Sequence, residues 1–269
     1  KKGEETLKKF GLNNKDKLVC LAIRDGAYDT MRISSRFRDW SYQEFRNNNL
    51  DNYKLAIEEL TKRGYFVFRM GVVVEKPLIS KNPKIIDYAN SDMRSDFMDI
   101  YIASKCSFAV TSMFGMQALF ELFDKPCAQI SIPLAAAHTH CEKNYLLTKH
   151  HILKKNKKRL SISEVFKSGA AFSHDAQFFK KHGIDILENS PEEIKDLVLE
   201  VANLVENKLE LSEKEKKLQL RFKELFKVNY DLPNFKKKSD PYWHETKFHK
   251  KININFSTKF LLQNNEWLN

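Results

Sequence analysis

The chain has 269 residues, of which 42% are hydrophobic and 30% charged, and its formal net charge is +11. This size and composition exclude an intrinsically disordered chain and predict one large globular domain or two small ones. No apolar stretch approaches the roughly 20 residues that span a bilayer, so no transmembrane helix is predicted.

The positive charge fits a phosphate-rich partner, but it equally fits a solvated lysine-rich surface. Cysteine usage points to a reducing compartment and a cytoplasmic location, because Cys20, Cys106, Cys127 and Cys141 show no C-x-x-C spacing. The first three lie in or beside apolar runs, where reduced cysteine is a small buried residue. The sequence begins with Lys1 and no signal-peptide pattern follows, so we expect an upstream domain to be missing.

The first half alternates strand-like and helix-like segments. Short apolar runs predict strands, and apolar residues at helical spacing predict helices between them. In chain order, we expect a strand at 18–23, a helix from 53 to Gly64, a strand at 65–68, a helix at 96–104, a strand at 107–111, a helix at 116–123 and a strand at 127–132.

The second half is more helical. Three Ser-x-x-Glu pairs predict helix starts at Ser161, Ser190 and Ser212, since each pair can form a capping box. A short strand is predicted at 184–187, an irregular basic segment at about 230–256, and a final amphipathic turn at 259–268. We therefore expect a Rossmann-like domain over 1–229 and an extension over 230–269 that packs back on it.

Strand–helix alternation predicts an α/β fold with a mostly parallel sheet and helices on both faces. Ligands of such sheets bind outside the carboxyl ends of the strands. Four successive predicted strands end in arginine, hydroxyl or glycine residues, all suited to an anion: Arg24-Asp25-Gly26, Arg69-Met70-Gly71, Thr111-Ser112 followed by Gly115, and Ser131-Ile132-Pro133. The alternative is that Arg24 pairs with a local carboxylate and that Thr111 and Ser112 cap the next helix.

The same residues carry a family resemblance. Residues 18–28 resemble the RD-x-A-Y segment of a bacterial family assigned as glycosyltransferases, and 45–53 and 64–71 are similar to its yRN…Y and GyyviRMG segments. Its SDFxDIY and TSxxG elements match 95–101 and 111–115, and 188–194 and 260–265 resemble its late segments. The similarity covers nearly the whole chain.

The resemblance implies a GT-B-like transferase, distantly similar to fucosyltransferases, that moves a sugar from a nucleotide-sugar donor to a glycan or lipid-linked acceptor in surface-polysaccharide synthesis. It implies that Arg24, Arg69, Gly71, Thr111, Ser112 and Gly115 bind the donor diphosphate. Asp25, Tyr28, Arg46 and Asn47 would line the cleft, with Asp25 and Arg24 catalytic.

Two departures from the family pattern stand out. The chain has strands for about one of the two Rossmann-like halves of a GT-B enzyme, so the acceptor half would lie upstream. Leu119 also occupies the position where many GT-B donor domains carry a ribose-binding carboxylate.

GT-B-like enzymes stabilise the diphosphate leaving group with arginines and backbone dipoles, so no metal and no cofactor is expected. Asp25 and Asp99 are candidate bases for the acceptor hydroxyl, although Asp99 fits a structural pairing better. A metal at His138, His140 and Cys141 is not favoured, since no second ligand pair follows at standard spacing and His150 and His151 would point apart.

The basic runs at 154–159 and 236–238 fit peripheral contact with anionic lipid at the inner membrane, or solvated loops. A competing hypothesis is a nucleic-acid-binding protein that uses the aromatic-basic segments 36–40 and 242–243, but no nucleic-acid motif accompanies them. A noncatalytic protein that binds nucleotide without turnover is the third hypothesis.

Overall fold

The computed structural model of the chain describes residues 1–27, 40–112, 114–134, 143–173, 175–230 and 254–269. Nine strands occur among these residues: β1 Lys17–Ala22, β2 Tyr65–Arg69, β3 Ile85–Ile86, β4 Phe108–Ser112, β5 Cys127–Ile130, β6 Tyr145–Leu147, β7 His150–Leu153, β8 Ile184–Leu187 and β9 Asn255–Phe256. Seven of them form one parallel sheet in the order β3-β2-β1-β4-β5-β6-β9. The predicted α/β fold with a parallel sheet is confirmed.

Helices connect most of these strands. The same described residues contain nine α-helices: α1 Lys2–Lys9, α2 Lys54–Lys62, α3 Asp96–Lys105, α4 Gln117–Leu122, α5 Ile162–Lys167, α6 Ala176–Lys181, α7 Pro191–Val205, α8 Glu213–Tyr230 and α9 Thr258–Gln263. Short 3-10 helices occur at Ser41–Arg46, Leu50–Tyr53, Tyr88–Asn90, Ala170–Phe172 and Asn265–Leu268.

Each face of the sheet carries its own hydrophobic core, because successive side chains of a strand point to opposite faces. Val19 and Leu21 of β1 join the core that buries α2 and α7, whereas Leu18 and Cys20 join the core that buries α3. Helices therefore cover both faces, as the alternation of elements predicts.

The three predicted helix starts are confirmed. Ser161 and Ser190 each form a complete capping box with the glutamate three residues on. At Ser212, its hydroxyl accepts from the Glu215 N–H and the Glu215 carboxylate accepts from the Ser212 N–H. These reciprocal bonds satisfy backbone donors that the first turn of a helix leaves without partners.

The second half differs from the prediction in its strands. The predicted strand at 184–187 exists, but β8 pairs antiparallel with β7, outside the main sheet. The strands β6, β7 and β9, and β3 in the first half, were not predicted because each has only two to four residues and gives little periodic signal. Residues 254–269 pack against the body through the buried Phe260, Leu261, Trp267 and Leu268, and β9 is the last strand of the sheet.

Cys20, Cys106 and Cys127 are free and buried, and burial raises the pKa of the Cys20 thiol. Cys141 lies outside the described residues. Among the helices that the structure describes, none has both the length and the apolar character required to cross a bilayer.

Candidate functional site

A cavity of about 510 Å³ opens at the carboxyl end of the sheet, where β1 lies between β2 and β4. The chain proceeds from β1 to β2 and β3 on one side and returns to β4 on the other, which makes this the topological switch point of the sheet. Ligands of open α/β sheets bind at such points, and this volume suits a small-molecule ligand. The loops after β1, β2 and β4 supply most of the lining.

The predicted site residues divide into two groups. Arg24, Asp25, Arg46, Gly71 and Gly115 line the cavity. Arg69, Thr111 and Ser112 are fully buried, and Asn47 contacts Arg24 from outside the lining. Tyr28 lies outside the described residues. The structure therefore brings five of the predicted residues to one cavity and places four in or behind its wall.

Arg24 is held in place from three sides. Its backbone N–H donates to the Ser112 hydroxyl at 2.8 Å, and its carbonyl accepts from the Asn48 N–H at 2.8 Å. Its Nε donates to Asn47 Oδ1 at 3.0 Å. The side chain thus has a defined position on the cavity wall, an arrangement that orients a guanidinium toward an anion without much loss of conformational entropy on binding.

Gly26 is required by the same contacts. Its φ is +88°, and a Cβ built there would lie 2.6 Å from Asn47 Nδ2. Any side chain at this position would strain the backbone and displace the amide that holds Arg24.

The structure does not support the prediction that Arg69 binds the ligand. Its side chain is 1% exposed, and Nη2 lies 3.0 Å from Asp25 Oδ2 while Nη1 lies 3.6 Å from Asp87 Oδ1. Nη1 also donates to the Lys76 carbonyl at 3.2 Å. Burial lowers the pKa of the guanidinium, and the two carboxylates oppose that change. Arg69 therefore holds the wall together beneath the cavity surface and has no direct access to a ligand.

Asp25 is also part of the cavity wall, and the structure does not support its predicted role as a base. Its Oδ2 accepts from Arg69 and from the Glu75 N–H at 2.9 Å, and its Oδ1 accepts from the Ala27 N–H at 3.1 Å. Both oxygens are thus engaged, and the carboxylate ties the loop after β2 to the end of β1.

Asp99 of α3 is the second carboxylate on the wall. Arg94 donates to its Oδ2 at 2.7 Å, which is the structural pairing expected from the sequence. Its Oδ1 is buried and has no hydrogen-bond partner among the described residues, although the side chain lines the cavity. A buried carboxylate oxygen without a donor is rare, and its burial keeps it out of direct contact with a ligand unless the wall rearranges.

Thr111 and Ser112 do not cap the following helix. Met116 precedes α4, and no side chain caps that helix. The Thr111 hydroxyl donates to the Ser112 carbonyl, while the Ser112 hydroxyl accepts from Arg24. The hydroxyl at the end of β4 therefore fixes the arginine at the end of β1.

The end of β5 does not reach the cavity. Ser131, whose φ is +61°, donates its hydroxyl to Asn48 Oδ1 at 2.6 Å, and Tyr53 donates to the same oxygen at 3.0 Å. Asn48 thus links the ends of β1 and β5. The sequence analysis did not predict this role of Asn48. The run of three asparagines at 47–49 is the feature of the sequence that could have indicated it.

Apolar and aromatic side chains complete the lining. Trp40 and Phe114 face the cavity together with Arg46, whose Nη1 donates to Gln43 Oε1 at 2.7 Å. Two arginines beside aromatic rings suit a ligand with an anionic part and a planar part.

The histidines give no metal site in the described part of the chain, where no cluster of three suitable ligands occurs. His150 lies 2.9 Å from Glu193, whereas His151 is buried near Phe179 and burial lowers its pKa to about 4. His138 and His140 fall outside the described residues, as does Cys141.

The basic run at 154–159 is partly neutralised. Lys154 and Lys157 lie 3.3 and 3.9 Å from Asp185, and Lys158 lies 2.6 Å from Glu164. This pairing weakens the case for a lipid-binding patch. The run at 236–238 and the aromatic residues at 242–243 lie outside the described residues.

Comparisons with protein-family models, with curated proteins and with solved structures found no match. The family resemblance therefore rests on the sequence segments alone.

Proposed function

We propose that the chain is a glycosyltransferase that binds a nucleotide-sugar donor in the cavity between β1, β2 and β4. The observation that carries the proposal is Arg24, fixed by Ser112, Asn47 and Asn48 on the wall of a cavity at the switch point of a parallel sheet. The resemblance to a GT-B-like family supports the choice of substrate class.

Arg24 and Arg46 would neutralise the donor diphosphate. Sugar transfer breaks the bond between the sugar and the diphosphate, and negative charge develops on the leaving oxygen. Guanidinium groups held at fixed positions stabilise that charge without reorganising during the reaction, and removing one such donor typically lowers the rate by about 10²–10³-fold. The chemistry needs neither a metal nor a cofactor in this form.

The planar part of the donor would lie against the apolar side of the cavity. Trp40 and Phe114 line this side, and aromatic rings favour stacked or edge-to-face contacts with a nucleobase.

Of the two wall carboxylates, Asp99 is the better candidate for the acceptor hydroxyl. Asp25 already accepts three hydrogen bonds, whereas Asp99 keeps one oxygen without a partner in the described region. In an inverting reaction, that oxygen would accept the hydroxyl proton as the new glycosidic bond forms, which requires the buried oxygen to become exposed when the acceptor binds.

In this proposal the sheet would correspond to one half of a GT-B enzyme, and the acceptor would be a glycan or a lipid-linked glycan. We also propose that the chain contacts an anionic membrane through the basic run at 154–159, because Lys155 in this run is exposed. Each lysine near such a surface contributes about 1 kcal/mol at most.

The test is thermal unfolding with a panel of nucleoside diphosphates. We expect one diphosphate to stabilise the wild type, and Arg24→Ala and Arg46→Ala each to weaken its binding about tenfold to a hundredfold, the range for a lost charge-assisted contact. Arg221→Ala on the exposed face of α8 is the matched control and should bind like the wild type.

Equal binding by all four proteins would refute the site. Diphosphate binding without any release of sugar from nucleotide-sugars would favour a noncatalytic nucleotide-binding protein. Salt-dependent binding of DNA or RNA with no response to nucleotides would favour the nucleic-acid hypothesis.

A further inference from the structure

A second cavity, of about 580 Å³, lies on the other side of the 3-10 helix Ser41–Arg46. Gln43 and Arg46 of this helix line the first cavity, whereas Tyr42, Glu44 and Phe45 line the second. The opposite wall comes from α6 and β8. One short segment thus separates two cavities of similar size.

Aromatic rings connect the two cavities and line the second. Trp40 of the first cavity stacks on Tyr42 of the second, with ring centroids 6.0 Å apart and an interplanar angle of 21°. Phe45 and Phe179 pack at 5.0 Å between centroids and line the same second cavity. The second cavity therefore offers apolar ring surface beneath a polar edge.

The charges around the second cavity cancel. Three lysines and three carboxylates line it, namely Lys149, Lys154, Lys180, Glu44, Asp185 and Glu188. Lys154 lies 3.3 Å from Asp185, and Lys149 lies 3.7 Å from Glu188. A cavity with this balance has no net attraction for a polyanion such as a diphosphate.

The polar groups suit hydroxyls in particular. Carboxylates only accept hydrogen bonds and ammonium groups only donate them, while the amide of Gln177 does both and that of Asn47, whose oxygen already accepts from Arg24, can donate. A hydroxyl both donates and accepts, so a ligand that carries several can satisfy this mixture, and its C–H surface can rest on the rings.

Lys149 connects the second cavity to the first. It is 7% exposed, and its ammonium group donates to the carbonyl of Asn47, whose side chain holds Arg24. Burial of an ammonium group costs free energy, and here Glu188 and the Asn47 carbonyl offset part of that cost. The carboxylate of Glu188 also accepts from the Asn49 N–H at 3.1 Å.

We propose that the second cavity binds a neutral polyhydroxyl ligand, that is, a saccharide, with Tyr42 and Phe45 beneath the sugar, the buried Phe179 packed behind Phe45, and the Gln177 amide and the carboxylates at its hydroxyls. The site requires neither nucleotide binding nor sugar transfer.

The test is saturation-transfer NMR of the whole chain with a panel of neutral disaccharides, namely maltose, cellobiose, lactose and chitobiose. At least one should bind with a Kd of about 1 mM, as expected for one ring contact and a few hydrogen bonds. Tyr42→Ala and Gln177→Ala should each weaken that binding by about tenfold. Gln177 is an exposed residue, so its substitution leaves the fold intact.

Two controls separate this site from the rest of the molecule. Phe97→Ala removes a half-exposed aromatic ring from α3, on a different part of the surface, and should leave binding unchanged. Arg24→Ala should weaken diphosphate binding about tenfold to a hundredfold yet retain saccharide binding, so failure of one site is distinguishable from failure of the other. Absence of binding by all four disaccharides, or wild-type affinity in both Tyr42→Ala and Gln177→Ala, would overturn the proposal.

Discussion

The carboxyl ends of β1 and β2 each carry an arginine, and the two arginines have different surroundings. Arg24 follows β1 and lines the cavity, where amide and hydroxyl groups hold it. Arg69 ends β2 and is buried between Asp25 and Asp87. The difference shows that an arginine at a strand end does not by itself predict a ligand contact, because the surrounding loops decide whether its side chain lines the cavity or is buried in the wall.

The largest expected effect tests the buried arginine. Arg69→Ala would leave Asp25 and Asp87 without their cation, and loss of one partner of a buried ion pair costs about 3–5 kcal/mol in the free energy of unfolding. Urea denaturation followed by circular dichroism measures this. Arg221→Ala should change it by less than about 0.5 kcal/mol. If the Arg69→Ala protein were as stable as the wild type but had lost ligand binding, Arg69 would be a ligand-binding residue and not part of the buried wall.

Glu200 is a buried acidic residue and, in contrast to Arg69, forms no ion pair with a lysine, arginine or histidine of the described residues. Burial raises its pKa to about 7, the charges of Glu215 and Asp196 add to this, and hydrogen bonds from Thr258 oppose it. The folded state thus binds the proton more tightly than the unfolded state. The free energy of unfolding should therefore fall as pH rises from about 4.5 to about 7 and stay level above that.

Glu200→Gln should remove this dependence. Relative to the wild type, the variant should gain about 3 kcal/mol between pH 4 and pH 8, from roughly two and a half pKa units. Denaturant titrations at several pH values measure the difference, with Glu224→Gln on the exposed face of α8 as the control. Parallel pH profiles for the wild type and Glu200→Gln would show that the carboxylate is not desolvated.

The smallest expected change in the free energy of unfolding comes from substituting two glycines that line the cavity. Gly26→Ala places a methyl group 2.6 Å from Asn47 Nδ2 at a positive φ, so we expect a loss of about 1–3 kcal/mol together with weaker diphosphate binding, since Asn47 holds Arg24. Gly115→Ala meets no atom within 4 Å and should be neutral or slightly stabilising. Unfolding and binding are measured on both variants, and equal behaviour would contradict the close approach at Gly26.

The main elements of the fold were predictable because β1, β2, β4 and β5 are apolar runs separated by helical periodicity and clear capping signals. The strands with two or three residues were not, since their pairing partners, rather than their own sequence, define them. The partners of β7 and β8 were missed for the same reason, as antiparallel pairing depends on contacts between distant segments.

At the candidate site, the strand-end pattern named Arg24, Gly71 and Gly115 and the family resemblance named Arg46, and all four line one cavity. It could not show that Asp87, which follows the two-residue strand β3, would neutralise Arg69. Nor could it show that Asn48 would join the ends of β1 and β5. Both depend on which loops meet in space, and residue types at strand ends do not determine that.

The position of β9 has a consequence for synthesis on the ribosome. The backbone edge of β6 gains its partner only when residues 254–269 arrive, since Asn255 and Ser257 donate to Asn144 and Leu146. Until then the nascent chain carries an open strand edge, and the ring of Phe222 lacks its contact with Phe256, so both offer the kind of surface that recruits chaperones or aggregates. Because this contact joins segments far apart in the chain, its closure should be a slow, late event in the maturation of the protein.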